Sequence, residues 1–379
     1  MFFFGSKKPT SQNHLVISVE SSHIRTCFVN VSDHQKPYII AQHIQTVQGD
    51  HYSIQNISKT LDLAIGALIQ KKPTKIDQVL CVLSSPWYIS HMDTYIRDEE
   101  APFVFRERDV KKILKDTVQD FYNTYKDQGD FEVLEKNILH IGINGYEIHD
   151  FKKEHTRRVE VSSYVSLVGK DIKQILQNTI ERHTSKDISF HTSMLVQSVV
   201  SRDAFQYLDN FVLVSIEGLY SEVSIINQGS LVHGEVILSG EHLIFSKAGE
   251  QNIHPDIILS ELKTLNQGTL HQNASLGLRK TVSNVQEEWR RHFVSSLQEV
   301  TKNIPLPEHC VVISKPTTFF WIKNALEDSR NKHLSVSDKN LHAILMNAEA
   351  LQPFLSAKIL EPDFKLMIYA AFTSIKVIQ

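Results

Sequence analysis

Leu15-Val16-Ile17-Ser18-Val19-Glu20-Ser21-Ser22-His23-Ile24-Arg25 is the stretch that decides how this chain is read. An apolar, β-branched run enters a short polar turn and returns as Thr26-Cys27-Phe28-Val29-Asn30, the pattern of a β-hairpin. Far downstream, Val212-Leu213-Val214-Ser215-Ile216-Glu217-Gly218-Leu219-Tyr220-Ser221-Glu222 repeats it and returns as Val223-Ser224-Ile225-Ile226-Asn227. In both copies a Ser stands at the end of the first strand, Ser18 and Ser215, with a Glu two positions on, Glu20 and Glu217. A hairpin that recurs at such separation predicts a chain built from two related halves.

Bulk properties set the limits. With 379 residues, 41% hydrophobic and 22% charged, the chain has the composition of a globular protein with two to three domains. A formal net charge of -3 gives no electrostatic case for nucleic-acid binding. No apolar run approaches the length of a membrane span. The opening Met1-Phe2-Phe3-Phe4-Gly5-Ser6-Lys7-Lys8-Pro9 is not a secretory signal, because its charges follow the Phe run. Phe2, Phe3, Phe4, Lys7 and Lys8 are candidates for contact with an anionic membrane surface, too short a segment to anchor alone. Cys27, Cys81 and Cys310 are an odd, widely spaced set, read as buried thiols of a reducing cytosol. None of the 19 His forms a paired metal spacing with Cys or acidic residues.

Between and beyond the hairpins, periodicity places the remaining elements. An extended run at 38–41 precedes a helix with Leu61, Ala64, Ile65 and Leu68 on one face. A strongly apolar strand at 77–83 leads through Ser84-Ser85-Pro86-Trp87-Tyr88-Ile89 into a new strand. The spacing of Val110, Ile113, Leu114, Val118, Phe121 and Tyr125 predicts an amphipathic helix over 106–125. Strands over 137–148 and 158–165 and a helix over 170–182 follow. After the second hairpin come a strand at 231–238 and a short helix opening at Ser239-Gly240-Glu241-His242. A polar stretch at 266–275 precedes the longest helix, in which Trp289 is read as core packing rather than a cofactor contact. A buried strand at 310–314, a helix at 319–326 and a core element at 364–371 complete the chain.

This order of elements resembles the actin-like ATPase superfamily and, within it, the FtsA cell-division and PilM pilus-assembly group. In that group the first phosphate hairpin follows an Asp-Ile-Gly-Ser-Ser-Ser-Ile-Lys type of pattern. Ser21, Ser22, Ile24 and Arg25 fit it, while Ser18 replaces the Asp and Glu20 the Gly. Of the second hairpin's Asp-Ile-Gly-Gly-Gly-Thr-Thr-Asp, Ile216 and Gly218 remain, with Ser215 and Glu217 at the Asp and first Gly positions. Gln228-Gly229-Ser230-Leu231-Val232-His233 matches the run that follows, and Ser239-Gly240-Glu241-His242-Leu243 stands for a Gly-Gly-Asp-His-Ile turn. The late glycine turn that holds adenine has become Ser314-Lys315-Pro316-Thr317-Thr318. The resemblance covers nearly the whole chain and rests on order and spacing more than on any one motif.

It implies an α/β protein of two-lobed actin-like fold, with duplicated ribonuclease-H-like halves and an FtsA/PilM-type strand-helix-strand-strand insert. The expected divisions are 1–13, a disordered or membrane-touching segment; 14–77 with 166–204, the first lobe; 78–165, the insert; and 205–379, the second lobe, about 242–305 of it helical. The expected degenerate nucleotide site comprises Ser18, Glu20, Ser21, Ser22, Ser215, Glu217, Gly218, Gly240, Ser314, Lys315 and Pro316.

An actin-type site needs carboxylates for magnesium and the attacking water, and glycine where backbone N–H groups approach phosphate. Ser18 and Ser215 remove the carboxylates, and Glu20 and Glu217 bring negative charge to the turns. Each like-charge pair at about 4 Å costs about 4 kcal/mol at an effective dielectric near 20. The expectation is a pseudo-ATPase without cofactor; ATP and magnesium return only if Glu20 and Glu217 took over the ligand role. The resemblance implies a cytoplasmic scaffold at the inner membrane face. Its partner would be the cytoplasmic tail of an inner-membrane protein, as for PilM, or a tubulin-like division filament, as for FtsA, with self-association as a further expectation. FtsA proteins usually end in an amphipathic membrane helix; here Ile375-Lys376-Val377-Ile378-Gln379 follows a core element, which leans the reading toward PilM. Pro86, Trp87 and Tyr88 are the candidate partner contact.

Overall fold

The computed structural model describes residues 11–33, 35–148, 152–250, 254, 257–258, 260, 276–356 and 361–375. The Phe–Lys opening, the polar stretch at 266–275 and residues 376–379 lie outside the described residues. The chain divides into two compact units, Met1–Ala204 with Asn347–Gln379, and Phe205–Met346.

In the first unit, Ser11–Val19 (β1), His23–Ser32 (β2) and Gln35–Thr46 (β3) form an antiparallel meander. Gln78–Leu83 (β4) and Ile188–Thr192 (β9) add in parallel, giving the order β3-β2-β1-β4-β9. Leu15, Val16, Ile17 and Val19 are all fully buried, as befits a central strand covered on both faces. Ile54–Lys71 (α1) starts at a Ser53 cap whose hydroxyl accepts from the Asn56 N–H, and it buries the stripe Ile57, Leu61, Ala64, Ile65 and Leu68.

Inserted between β4 and β9 is a second sheet. Ile89–Arg106 (β5), Glu107–Tyr125 (α2), Phe131–Ile143 (β6), Tyr146–Glu147 (β7) and Lys153–Gly169 (β8) give the order β5-β8-β6-β7. α2 covers one face, with Val110 against Val159 and Val161, and Phe121 against Val165 and Leu167. Lys170–Glu181 (α3) returns the chain to β9, and Ser193–Ala204 (α4) follows.

The second unit repeats the first sheet. Phe211–Ile216 (β10), Ser221–Asn227 (β11) and Ser230–Ile237 (β12) form the meander, and His309–Ile313 (β13) and His342–Leu345 (β14) add in parallel, in the order β12-β11-β10-β13-β14. The two halves thus share one topology, strand for strand. Leu243–Glu250 (α5), Leu276–Leu297 (α6) and Pro316–Leu326 (α7) pack on it. Trp289 is core: fully buried, stacked on Phe293 with centroids 5.3 Å apart, its indole N–H donating to Ser221 Oγ at 3.1 Å.

Two boundaries differ from the sequence reading. The strand at 78–83 belongs to the first sheet, hydrogen-bonded between β1 and β9, so the insert starts at β5 and runs to the end of β8. The chain end, assigned by contiguity to the second half, packs in the first unit. Phe364–Phe372 (α8) buries all its residues but Phe364, contacts β1, β2, β3 and α4, and joins its Tyr369 hydroxyl to Gln197 Nε2 at 3.1 Å.

Candidate functional site

Each sheet carries its hairpin turn at the same place. The first turn is closed by the Glu20 N–H donating to the His23 carbonyl at 3.1 Å, the second by the Glu217 N–H donating to the Tyr220 carbonyl at 2.8 Å. The strand serine donates to the turn glutamate in both: Ser18 Oγ to Glu20 Oε1 at 3.3 Å, Ser215 Oγ to Glu217 Oε1 at 3.2 Å. Both glutamates are only 1% exposed. The Ser-x-Glu pattern seen in the sequence is therefore a buried hydrogen-bonded unit, built twice.

In the first unit that carboxylate is neutralised from within. Arg25, opposite Ser18 across the β1–β2 ladder, bonds Glu20 Oε1 through Nη1, and Lys365 Nζ lies 3.7 Å from Oε2. Arg25 Nε also donates to Asp363 Oδ2 at 3.3 Å. Asp363 in turn caps α8, its Oδ1 accepting from the Leu366 N–H at 3.0 Å. A buried carboxylate survives only when its lone pairs are so engaged. Ser22 Oγ is 2.9 Å from His23 Nδ1, and the Ser21 carbonyl is 3.0 Å from His51 Nδ1. Ser21 Oγ, and Ser84 Oγ just beyond β4, are buried with no hydrogen-bond partner among the described residues.

In the second unit the turn is braced by backbone. The Glu217 and Gly218 carbonyls accept from the Glu241 and His242 N–H groups at 2.7 and 2.8 Å. A Cβ at Gly240 would lie 2.5 Å from the Glu217 carbonyl oxygen, so this close approach admits only glycine. Lys315 caps α7 with Pro316 in its first turn. Glu241 takes the anion position at that helix start, receiving Lys315 Nζ at 3.0 Å on both oxygens and Thr318 Oγ1 at 3.3 Å. Ser314 is buried beside it, its hydroxyl bonded to the Lys315 carbonyl at 3.2 Å.

The predicted site residues thus fall into two clusters, one per unit. Ser18, Glu20, Ser21 and Ser22 gather in the first, and Ser215, Glu217, Gly218, Gly240, Ser314, Lys315 and Pro316 in the second. Arg25 entered the sequence reading only as a motif match, Glu241 and Thr318 only inside quoted turns, and Lys365 only within the core element at 364–371; Asp363 was absent from it. The two C-terminal residues reach the hairpin only through the return of α8, which no local pattern announces.

Magnesium-ATP, which an actin-like fold implies, needs open carboxylate oxygens and turns free of competing anions. Glu20 holds an arginine, a lysine and a serine hydroxyl instead, and Glu241 already fills the helix start. These two carboxylates do not fit that group.

Among the other candidates, Trp87 and Tyr88 are buried and only Pro86 is exposed, so the trio is not a surface patch. Burial and the nearby Asp363 push the Cys27 thiol up, burial pushes up that of Cys81, and burial with Glu327 raises that of Cys310, which makes all three inert packing groups. No helix among the described residues is long and apolar enough to cross a membrane.

No family model and no curated protein matches the chain. Solved structures do. The PilM–PilN type IV pilus biogenesis complex is similar with a TM-score of 0.61 at 12% identity, over 96% of this chain and 98% of that one. A protein of actin-like ATPase fold and unknown function from Bacteroides thetaiotaomicron gives 0.43 at 9% identity, over 96% of each chain. Ethanolamine utilization protein EutJ from Carboxydothermus hydrogenoformans gives 0.42 at 11%, over 89% of this chain and 85% of that one. The fold of this chain is actin-like, with the expected duplicated halves and the strand-helix-strand-strand insert.

Proposed function

We propose that this protein is a scaffold that does not hydrolyse ATP and that binds the cytoplasmic tail of an inner-membrane protein in type IV pilus assembly. The observation that carries the reading is Glu20: the carboxylate brought to the first phosphate turn is held by Arg25 and Lys365, two cations of the same unit. A fold whose first turn has its carboxylate neutralised from within retains its shape as its usable property. The pilus assignment draws on the likeness to the PilM–PilN complex along nearly the full length of both chains. For the seat of the tail the first unit offers an open groove of about 610 Å³, lined by Leu134, Lys173, Gln177, Glu181, Ile188 and Phe190. On this reading the protein works in the cytoplasm, peripheral to the membrane.

The test is calorimetry of the purified protein against two ligands. Synthetic cytoplasmic tails of single-span membrane proteins encoded beside it are expected to bind, more weakly to a Lys173→Glu variant. Magnesium-ATP is expected to give no heat and no shift in melting temperature. ATP turnover together with indifference to every tail would sink the proposal.

The second reading is an FtsA-like division protein that still binds ATP weakly through a rearranged site. The buried Ser21 and Ser84 hydroxyls, without a partner among the described residues, favour it, since such donors suit a phosphate. It predicts a nucleotide-induced thermal shift that Ser21→Ala abolishes, and binding to a tubulin-like filament protein in place of the tails.

A further inference from the structure

Away from both hairpin turns, β9 and β6 bring a serine, a histidine and a glutamate into one hydrogen-bonded line. Ser189 Oγ lies 2.8 Å from His191 Nε2, and His191 Nδ1 lies 2.9 Å from Glu135 Oε2. Ser189 and His191, two apart in β9, share one face of the strand, opposite Ile188 and Phe190 of the groove.

Glu135 arrives through a bulge. Val133 pairs with Leu167 and Glu135 with Ser166, so Leu134 is an extra residue in β6. Without it, Glu135 would share the α2-covered face with Phe131 and Val133. With it, the carboxylate turns to the opposite face, toward β9. There its Oε1 accepts from the Thr192 N–H at 2.8 Å and from Thr192 Oγ1, while Tyr164 OH is 2.7 Å from the same hydroxyl. The carboxylate is buried and fixed, the serine exposed.

The chemistry follows from the donor rules. An ionised carboxylate accepts only, so His191 carries its proton on Nδ1 and presents a bare Nε2 to the Ser189 hydroxyl. That is the nucleophile, base and orienting acid arrangement of acyl-transfer sites. β9 is an edge strand, and the Thr192 N–H points to its outer side. Two-residue alternation turns the Phe190 amide to that side too, next to the nucleophile, where a donor to a developing oxyanion belongs. The Phe372 ring, edge-on to His191 at 5.2 Å, walls the imidazole on one side.

We propose that Ser189, His191 and Glu135 form an activated-serine site that accepts an acyl group from a small ester or thioester. Ser189 Oγ bonds to the acyl carbon as its proton passes to His191 Nε2. The bond from that carbon to the leaving oxygen or sulfur breaks, and the leaving group takes the proton from His191. Water then attacks the acyl-serine by the same route, releasing the carboxylic acid and restoring the serine. Ser189 is the nucleophile, His191 the base and acid, and Glu135 a positioning residue. The inference is independent of the scaffold reading and of any nucleotide.

The test incubates the full-length protein with a fluorophosphonate probe and, separately, with p-nitrophenyl acetate. One adduct is expected, mapped to Ser189 by peptide mass spectrometry, lost in Ser189→Ala and unchanged in Ser185→Ala. His191→Gln is expected to slow labelling about a hundredfold or more, the usual weight of a general base. Glu135→Gln, checked for fold by near-ultraviolet circular dichroism, is expected to slow it at unaltered probe affinity. Absence of an adduct on Ser189, or a labelling rate equal in His191→Gln and the parent, would overturn the proposal.

Discussion

At the scale of the residue, buried charge governs the first hairpin. Removing one partner of a buried pair strands the other, at a cost of about 3–5 kcal/mol. Arg25→Ala leaves both Glu20 and Asp363 short of a cation, so it is expected to lose about that much in urea denaturation. Ser18→Ala, which removes one hydrogen bond, should lose only about 1 kcal/mol; equal losses would show that the ion pair matters no more to stability than the hydroxyl. His14 provides a pH signature. It is buried in β1, and burial lowers its pKa against the opposing pull of Asp77. A group with a depressed folded-state pKa binds fewer protons when folded, so its stabilisation is complete above about pH 6.5 and lost as pH falls below it. Melting temperature should therefore decline from pH 6.5 toward pH 5, and His14→Asn should flatten that decline. A slope unchanged by the substitution would contradict the assignment.

Among elements, the two turns show how little room the second hairpin leaves. Gly240→Ala would press its methyl on the carbonyl oxygens of Glu217 and Gly218 and the amide of Tyr220, at 2.5, 2.7 and 2.7 Å. Backbone cannot yield as a side chain does, and a loss of about 1–3 kcal/mol is expected. Gly249, helical and with nothing within 4 Å of its added Cβ, is the control, and alanine there should be neutral or gain up to about 1 kcal/mol. Comparable melting temperatures for the two variants would refute the close approach. The same scale explains what could be read from the sequence. The hairpins, α1, α2 and β4 were legible because apolar runs or one-faced stripes mark them. α4 was not: eight of its 12 residues are buried, small and polar ones among them, so no stripe emerges. β9 was missed because Ile188-Ser189-Phe190-His191-Thr192 mixes polar and apolar residues at a sheet edge. Glu135 lies ahead of the strand read at 137–148, and the Leu134 bulge reverses the facing that alternation would have given it.

For the whole molecule, the decisive fact is that the first unit is discontinuous in sequence. Sequence order predicted halves divided once, whereas α8 returns across the chain to complete the first sheet's packing. The Arg25–Asp363 contact spans 338 residues, and no local pattern can carry such a pairing. The energetic weight of this return is large. Leu366, Met367, Ile368, Tyr369 and Phe372 are all buried, and each such side chain contributes about 1.5–3 kcal/mol on burial. Together that rivals the entire net stability of a typical domain, about 5–15 kcal/mol. A fragment of residues 1–204 should therefore lack a cooperative melt and bind a hydrophobic dye. Joining residues 347–379 to it through a flexible linker should restore the transition, and Asp363→Ala in that fusion should lower its midpoint by removing both the α8 cap and the Arg25 contact. The measurement is thermal unfolding followed by circular dichroism on the three proteins. A sharp transition in the fragment alone would mean that the C-terminal helix decorates the first unit instead of completing it.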